Sequence, residues 1–216
     1  MIDTIVHEAA LCGSLTGCPV LAARVLQAMR AVPRAEFVPE HQRDYAYDDR
    51  ALSIGAGQTI SQPFIVALMT QLLDPQPGHT VLEVGTGSGY QAAVLSHLVK
   101  TVYSIEIIDS LAMQAGETLS RLGYHNVHVQ KRDGGLGLPE HAPYDSIIVT
   151  AAAQAVPPAL LQQLKPGGRL VIPVGHPYCS QSLQRITRGE GDHYDTQQVL
   201  SVIFVPLTGA TQTDEG

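Results

Sequence analysis

The chain is poor in the residues on which several large classes of protein depend. Its 216 residues include no tryptophan, and only 5% are aromatic, so we expect no surface for stacking nucleic-acid bases. Lysine and arginine together number 13 against 20 aspartates and glutamates, which gives a formal net charge of −7. Because nucleic acids and anionic membranes are held largely by positive charge, we expect neither as a partner.

Cysteines and long apolar runs are also scarce. The three cysteines, Cys12, Cys18 and Cys179, have no CxxC spacing, which predicts reduced thiols and neither a disulfide scaffold nor a zinc site. No apolar run approaches the roughly 20 residues of a membrane helix, and the first residues do not read as a secretory signal. Reduced thiols predict a cytoplasmic protein. Because the nine histidines are scattered along the chain, we expect no bound metal.

From residue 79 onward, predicted strands alternate with predicted helices, a pattern typical of a doubly wound, mostly parallel sheet. The strands are expected at 80–84, 101–106, 127–129, 144–150 and 169–173, and the helices at 90–99, 109–122 and 158–164. Residues 182–188 and 197–206 predict a final antiparallel hairpin around a turn at 189–192. The α/β sheet is therefore expected to be closed at one edge by this hairpin.

The segment before the sheet is expected to be mostly helical. Apolar spacing predicts helices over 19–32 and 61–73, with a loop over 45–59 between them. Because no linker interrupts the chain, we expect one domain, 1–216: a helical N-terminal extension (1–78), a sheet core (79–208) and a polar tail (209–216).

The sharpest motif is a glycine-rich loop between the first strand of the core and the helix that follows it. Gly85, Gly87 and Gly89 come directly after Glu83-Val84, at the carboxyl end of a strand, where doubly wound sheets bind ligands. Dinucleotide loops have GxGxxG spacing, whereas GxGxG suits a ligand without a pyrophosphate that is held by amino-acid and ribose groups. A nicotinamide oxidoreductase remains an alternative at this point.

Acidic residues follow the next two strands as well. The carboxylate of Glu106 can accept hydrogen bonds from both hydroxyls of a ribose. Asp133 can accept from an adenine amino group while the Gly134 amide donates to a ring nitrogen. These residues could instead be solvated carboxylates at strand ends. Agreement among three adjacent strand ends, including that of Glu83, favours a nucleoside site.

Several segments together resemble the class I S-adenosylmethionine-dependent methyltransferases and, more narrowly, the protein-L-isoaspartate O-methyltransferase family. They are Arg34-Ala-Glu-Phe-Val-Pro39, Ile54-Gly-Ala-Gly-Gln-Thr-Ile-Ser-Gln-Pro63, Leu164-Lys-Pro-Gly-Gly-Arg-Leu170 and Val205-Pro-Leu-Thr208. The resemblance implies a Rossmann-like fold and S-adenosyl-L-methionine as cofactor. It also implies methyl transfer to the α-carboxyl group of L-isoaspartyl residues in damaged proteins and peptides, which initiates their repair.

The resemblance also assigns site residues. It implies that Thr59, Ile60, Glu83, Gly85, Gly87, Gly89, Glu106, Asp133 and Gly134 bind the cofactor, and that Ile60, Ser61 and Thr208 contact the substrate. Ser61 is the catalytic candidate, as a group that positions the substrate carboxylate. Local sequence alone favours a different role for Ser61, that of N-cap of the following helix. Many relatives have Ala-Pro-His where this chain has Gln62-Pro63-Phe64, so a contact from that histidine is not carried over.

The chemistry requires no general base. An α-carboxyl group has a pKa of about 3.3–3.7 in model compounds, so it is already an anion at neutral pH. The alternatives are a class I methyltransferase acting on a small molecule or RNA, and a binding protein that retains the cofactor without turnover. We expect a monomer whose partners are isoaspartyl-containing proteins and peptides.

Overall fold

The computed structural model describes residues 1–177, 179–191 and 193–209. Two helices, α1 (Ile2–Thr16) and α2 (Ala23–Ala31), open the chain, and two 3-10 turns, Arg34–Phe37 and Glu40–Tyr45, follow them. The prediction of a helical N-terminal extension is confirmed. The predicted helix at 19–32 is shorter than expected, because Ala22 is extended and α2 begins after it.

A two-stranded hairpin occupies part of the segment that was predicted to be a loop. Strands β1 (Leu52–Gly55) and β2 (Gln58–Ile60) pair antiparallel, and helix α3 (Pro63–Leu73) follows them. Three successive residues with positive φ, Gly55, Ala56 and Gly57, make the tight turn. The hairpin is short and glycine-rich, so its strand pattern is weak in the sequence.

The core is a seven-stranded sheet in the order β5-β4-β3-β6-β7-β8-β9. Its strands are β3 (Thr80–Val84), β4 (Thr101–Glu106), β5 (Val127–Lys131), β6 (Tyr144–Val149), β7 (Leu164–Val174), β8 (Gln181–Arg188) and β9 (Tyr194–Val202). The first five strands in this order are parallel, and β8 and β9 are antiparallel to their neighbours. The predicted doubly wound sheet with a C-terminal hairpin is confirmed.

Three helices connect the parallel strands: α4 (Tyr90–Ser96), α5 (Asp109–Arg121) and α6 (Pro158–Gln162). Side chains of α1 to α5 pack on one face of the sheet in a core that includes Val81 and Val102. Leu160 of α6 packs on the other face with Leu82 and Val84. No helix within the described residues combines the length and the apolar character that a membrane crossing requires.

Residues 165–168 lie between the predicted helix at 158–164 and the predicted strand at 169–173, where the Lys-Pro-Gly-Gly sequence favours a turn. In the structure they lie inside β7, which starts at Leu164, and the pairing with β6 shifts register between Tyr144 and Ser146. The irregular register accommodates the Lys-Pro-Gly-Gly sequence, which a regular central strand would not. Of the predicted tail, residues 210–216 lie outside the described residues, as does Asp192 in the predicted turn between β8 and β9.

Candidate active site

The glycine loop lies where the strand order of the sheet changes direction. Strand β3 has β4 on one side and β6 on the other, and such switch points are where open α/β sheets bind ligands. Gly85, Gly87 and Gly89 have φ values of 92°, 53° and 88°, all in the left-handed region that favours glycine. A Cβ atom on Gly85 would lie 2.6 Å from Thr150 Oγ1. Glycine is therefore required there by both space and backbone conformation.

Glu106 fixes the loop from the end of β4. Its Oε2 accepts a hydrogen bond from Gly87 N at 2.8 Å, and its Oε1 accepts one from Ile108 N at 3.0 Å. A carboxylate has about four lone-pair positions, so two backbone donors leave acceptors for two further hydroxyl groups. Glu106 is 6% exposed and lines a cleft beside the loop. This geometry suits a bidentate contact with a ribose diol.

The cleft extends from the glycine loop to the hairpin and the C-terminal segment, and we call it the glycine-loop cleft. Eight of the residues assigned from the sequence line it: Thr59, Ile60, Ser61, Gly85, Gly87, Glu106, Gly134 and Thr208. Thr86, Tyr90, Gln91, Thr150 and Leu207 also line it, and no site role was predicted for these five from the sequence. Thr150 could have been found, since it follows β6 at the same edge of the sheet.

Three assigned residues lie outside the wall of the cleft that the structure describes, and their contact with a cofactor stays a prediction. Gly89 caps α4, and a Cβ there would lie 3.1 Å from Leu119 Cδ1, so this glycine allows α4 to approach α5 closely. Asp133 Oδ1 accepts a hydrogen bond from Gly135 N at 2.9 Å and lies beside Gly209.

Glu83 is the third of these residues, and it is fully buried beneath the loop. Ser104 Oγ donates a hydrogen bond to its Oε2, and the same hydroxyl lies 2.6 Å from Thr86 Oγ1 in the cleft wall. Its Oε1 has no hydrogen-bond partner within the described residues. Burial raises the pKa of the Glu83 carboxyl to about 8. Glu83 therefore supports the loop from below, through Ser104 and Thr86.

Ser61 lies between β2 and α3. Helix α3 begins at Pro63 with Gln62 as its N-cap, so the interpretation of Ser61 as the N-cap is wrong. The cap comes from Asp49, whose Oδ1 accepts from Phe64 N at 2.8 Å. The Ser61 hydroxyl makes no hydrogen bond to the described part of the chain, whereas its carbonyl accepts from Arg34 Nη2 at 2.7 Å. The hydroxyl is therefore available to a ligand.

A second depression meets the glycine-loop cleft at Ser61. This β9 groove is lined by Glu8, Ala51, Thr59, Ser61, Gln62, Phe64, Ile65, Ser180, Leu200, Ser201, Val202, Ile203 and Phe204. Thr59 and Ser61 line both depressions. Because a group transfer requires its two reactants to meet, the junction at these two residues is where transfer between separately bound ligands would occur.

The chemistry of the cleft wall indicates its ligand. Glu106 is the one charged side chain among the described residues that line it, and no lysine, arginine or histidine belongs to that set. A pyrophosphate would meet no cationic side chain there, whereas a carboxylate favours a positively charged ligand. The wall therefore fits S-adenosyl-L-methionine, whose sulfonium is cationic and whose ribose matches Glu106. No group of three or more metal-ligating side chains occurs within the described residues.

Comparison with known proteins agrees with this geometry. The family model described as "Protein-L-isoaspartate(D-aspartate) O-methyltransferase (PCMT)" matches residues 9–212. A protein-L-isoaspartate O-methyltransferase of Nitrosococcus oceani is 58% identical over 97% of this chain and 95% of its own length. One from Polaromonas is 57% identical over 90% of this chain and 92% of its own length.

Solved structures give the same result. A protein-L-isoaspartate O-methyltransferase structure matches with a TM-score of 0.83 and 28% identity, over 98% of this chain and 67% of its own. A Plasmodium falciparum structure in complex with S-adenosyl-L-homocysteine shares the fold, with a TM-score of 0.77 and 24% identity over 95% of this chain and 97% of its own. The chain belongs to the protein-L-isoaspartate (D-aspartate) O-methyltransferase family.

Proposed function

We propose that this chain transfers a methyl group from S-adenosyl-L-methionine to the α-carboxyl group of L-isoaspartyl residues in proteins and peptides, the first step in their repair. One observation carries the proposal beyond family membership. The glycine-loop cleft and the β9 groove meet at Thr59 and Ser61, so a cofactor in the first and a peptide in the second have their reacting groups at one place.

The roles of the residues follow from their positions. S-adenosyl-L-methionine supplies an electrophilic methyl group when it is bound. Glu106 binds the ribose, and the glycine loop allows the backbone to approach the ligand closely. Gly134, Thr59 and Ile60 line the rest of the cofactor site. Ile60 and Thr208, which line the same cleft, also contact the substrate, together with Ser61. Contacts from Glu83, Gly89 and Asp133 remain part of the proposal, with Glu83 and Gly89 acting through the loop.

Ser61 orients the substrate carboxylate. Its hydroxyl makes no hydrogen bond to the described part of the chain, so it is free to donate to an anion, whereas the first amide of α3, Phe64 N, is already bound by Asp49. Because the carboxylate is already ionised at neutral pH, no side chain has to remove a proton. The chain instead holds the carboxylate at near-attack distance, about 3–3.5 Å from the methyl carbon, and excludes water around opposite charges that neutralise each other as transfer proceeds.

The remaining parts of the proposal concern the molecule as a whole. We propose that residues 1–216 act as a single catalytic domain and as a monomer in the cytoplasm, and that nucleic acids and membranes are not partners. The free cysteines, Cys12, Cys18 and Cys179, and the negative net charge support this. Light scattering at assay concentration tests the monomeric state.

The deciding experiment uses two peptides that differ at one linkage. Transfer of a labelled methyl group is measured to an isoaspartyl peptide and to its aspartyl counterpart of the same sequence. The proposal predicts base-labile incorporation into the isoaspartyl peptide and almost none into the other. Equal labelling of both peptides would contradict the substrate assignment. If neither peptide is labelled although the protein binds S-adenosyl-L-homocysteine, the chain is a binding protein.

A further inference from the structure

Arg34 is fully buried, with 0% of its surface exposed, in the 3-10 turn Arg34–Phe37. Within the described residues, no carboxylate lies at ion-pair distance from its guanidinium. Burial lowers the pKa of Arg34 to about 10, opposed by Tyr90 and Asp49, so the group is charged at neutral pH. A buried, unpaired charge is costly, and an apolar side chain at such a place is often as stable or more so. Stability alone therefore gives a poor account of an arginine here.

The contacts of Arg34 reach three different parts of the molecule. Its Nε donates to the carbonyl of Ala46 at 2.8 Å, directly after the 3-10 turn Glu40–Tyr45. Its Nη2 donates to the carbonyl of Ser61 at 2.7 Å. Its Cζ lies 4.7 Å from the ring centroid of Tyr90, which is the first residue of α4 and lines the glycine-loop cleft. One planar guanidinium therefore contacts both the segment that carries Ser61 and the wall of the glycine-loop cleft.

Asp49 holds the other end of the same short segment. Its Oδ1 accepts from Phe64 N at 2.8 Å, and its Oδ2 accepts from the side-chain amide of Gln62 at 2.9 Å. Arg34 thus binds the segment at Ser61 and Asp49 binds it at Gln62 and Phe64. Between them, these two side chains fix the backbone from which the free Ser61 hydroxyl projects.

We propose that Arg34, together with Asp49, is a positioning residue for methyl transfer, because it sets the distance between the Ser61 segment and the wall of the cofactor cleft. Neither residue lines the glycine-loop cleft or the β9 groove within the described residues, so both act through Ser61 and Tyr90. This inference rests on the proposed function. Displacement of a positioned group by about 1 Å can cost about 100-fold in rate, so the loss of the contacts made by Arg34 or Asp49 should be measurable.

The principal test is Arg34→Lys. Lysine keeps the charge, but its ammonium group cannot donate along two fixed directions while stacking on a ring as the guanidinium does. We expect kcat/KM for an isoaspartyl peptide to fall by about tenfold or more. The Kd for S-adenosyl-L-homocysteine should remain within about threefold of the wild-type value, because Glu106 and the glycine loop are untouched. Amide hydrogen exchange in the ligand-free protein should accelerate over residues 58–64.

Arg24→Lys is the matched control. Arg24 also donates to a backbone carbonyl, that of Pro75, and pairs with Asp74 away from both depressions. This variant should change the melting temperature while kcat/KM and exchange over 58–64 stay at wild-type values. Wild-type kcat/KM in folded Arg34→Lys would overturn the proposal, whatever happens to its melting temperature.

A second variant covers the case in which Arg34→Lys fails to fold. Asp49→Ala removes both acceptors at the other end of the segment, so it should lower kcat/KM and accelerate exchange at the Phe64 amide. Wild-type kcat/KM in folded Asp49→Ala would then overturn the proposal. A wild-type enzyme that does not methylate the isoaspartyl peptide would instead contradict the proposed function. The exchange measurement would still test whether Arg34 and Asp49 fix the segment 61–64.

Discussion

At the scale of single residues, Ser61 has a hydroxyl without a structural partner in the described chain. Ser61→Ala should therefore lower kcat/KM for an isoaspartyl peptide by roughly 10- to 150-fold, the effect of one hydrogen bond to a charged group. The Kd for S-adenosyl-L-homocysteine should stay within about threefold. The melting temperature should hardly change, because Asp49 and not Ser61 caps α3. Steady-state kinetics, calorimetry and thermal unfolding on one preparation test all three.

Ser53→Ala is the control for that variant, since Ser53 lies on the exposed face of the same hairpin. It should retain wild-type values in all three measurements. Full kcat/KM in Ser61→Ala would remove the positioning role from this side chain.

Glu106 should matter for cofactor affinity. Glu106→Ala removes both the contact proposed for the ribose and the acceptor that holds Gly87 N, so the Kd for S-adenosyl-L-homocysteine should rise by at least about tenfold. Calorimetry on folded protein measures this. Glu117→Ala, an exposed change on α5, should leave the affinity unaltered, and wild-type affinity in the Glu106 variant would refute the assignment.

Glu83 predicts a pH dependence of stability. Burial and then the nearby charge of Glu106 raise the pKa of this carboxyl from 4.5 to about 8, while the hydrogen bond from Ser104 opposes the shift. The folded protein therefore keeps a proton that the unfolded chain releases above about pH 4.5. The contribution to the free energy of unfolding is fully present below that pH and is lost as the pH rises towards about 8.

Glu83→Gln, which mimics the protonated carboxyl, should remove this decline. Urea unfolding of both proteins at about pH 5 and about pH 8 tests it, and the difference in midpoint should move in favour of the variant at the higher pH. Parallel profiles would show that Glu83 does not titrate in this range.

The placement of Glu83 also shows how far sequence reasoning reaches for a site. Strand ends correctly predict the edge of the sheet, which places Glu106 and the glycine loop in one cleft. The position of a residue at a strand end does not predict on which face of the sheet its side chain lies. Successive side chains of a strand point to opposite faces, so Glu83 lies on the side of Val81 while Val84 lines the cleft. Arg34 and Asp49 could not be predicted, because their partners are 27 and 15 residues away along the chain.

At the scale of elements, the hairpin formed by β1 and β2 covers part of the glycine loop. A Cβ on Gly87 would lie 3.5 Å from Ile54 Cδ1 of the hairpin, and Gly87 also lines the cleft. Gly87→Val should therefore abolish detectable binding of S-adenosyl-L-homocysteine in a protein that still folds. The left-handed φ of 53° adds backbone strain to this variant, at about 1–2 kcal/mol.

Gly17→Val separates strain from steric exclusion of the ligand. Gly17 has a similar φ of 67°, has no atom within 4 Å of a built Cβ, and ends α1 away from the cleft. Both variants should lose comparable stability, and only Gly87→Val should lose affinity in calorimetry. Normal binding by folded Gly87→Val would mean that the ligand does not lie over this loop.

The regular elements were the predictable part of the fold. Strands β3 and β4 coincide with their predicted ranges, because β-branched and aromatic residues make up most of both segments. The hairpin over 52–60 was missed because its strands are only four and three residues long. The irregular start of β7 was missed because proline and glycine normally indicate a turn. Leu164 and Arg169 both pair with β6, and the residues between them are therefore included in the strand.

At the scale of the whole molecule, the junction of the two depressions joins residues that are distant in sequence. Thr59, Ser61, Gly85 and Thr208 all line the glycine-loop cleft, and the strand order of the sheet brings them together. Local patterns cannot provide such long-range placement. It came instead from the resemblance of the segments 54–63 and 205–208 to one family, and the cleft agrees with it.

The distribution of charge over the molecule leads to the last prediction. The chain carries a net charge of −7, and Glu8 is the one charged side chain among the described residues that line the β9 groove. An anionic substrate therefore approaches against a repulsive field, so isoaspartyl peptides with lysine flanks should have several-fold higher kcat/KM than those with glutamate flanks. Raising the salt from about 10 mM to about 500 mM shortens the Debye length from about 30 Å to a few ångströms, which should bring the two values together. Glu8→Gln should reduce the preference at low salt, measured as the ratio of kcat/KM for the two peptides. A preference for lysine flanks that persists at high salt would show that a direct contact, and not the overall field, selects them.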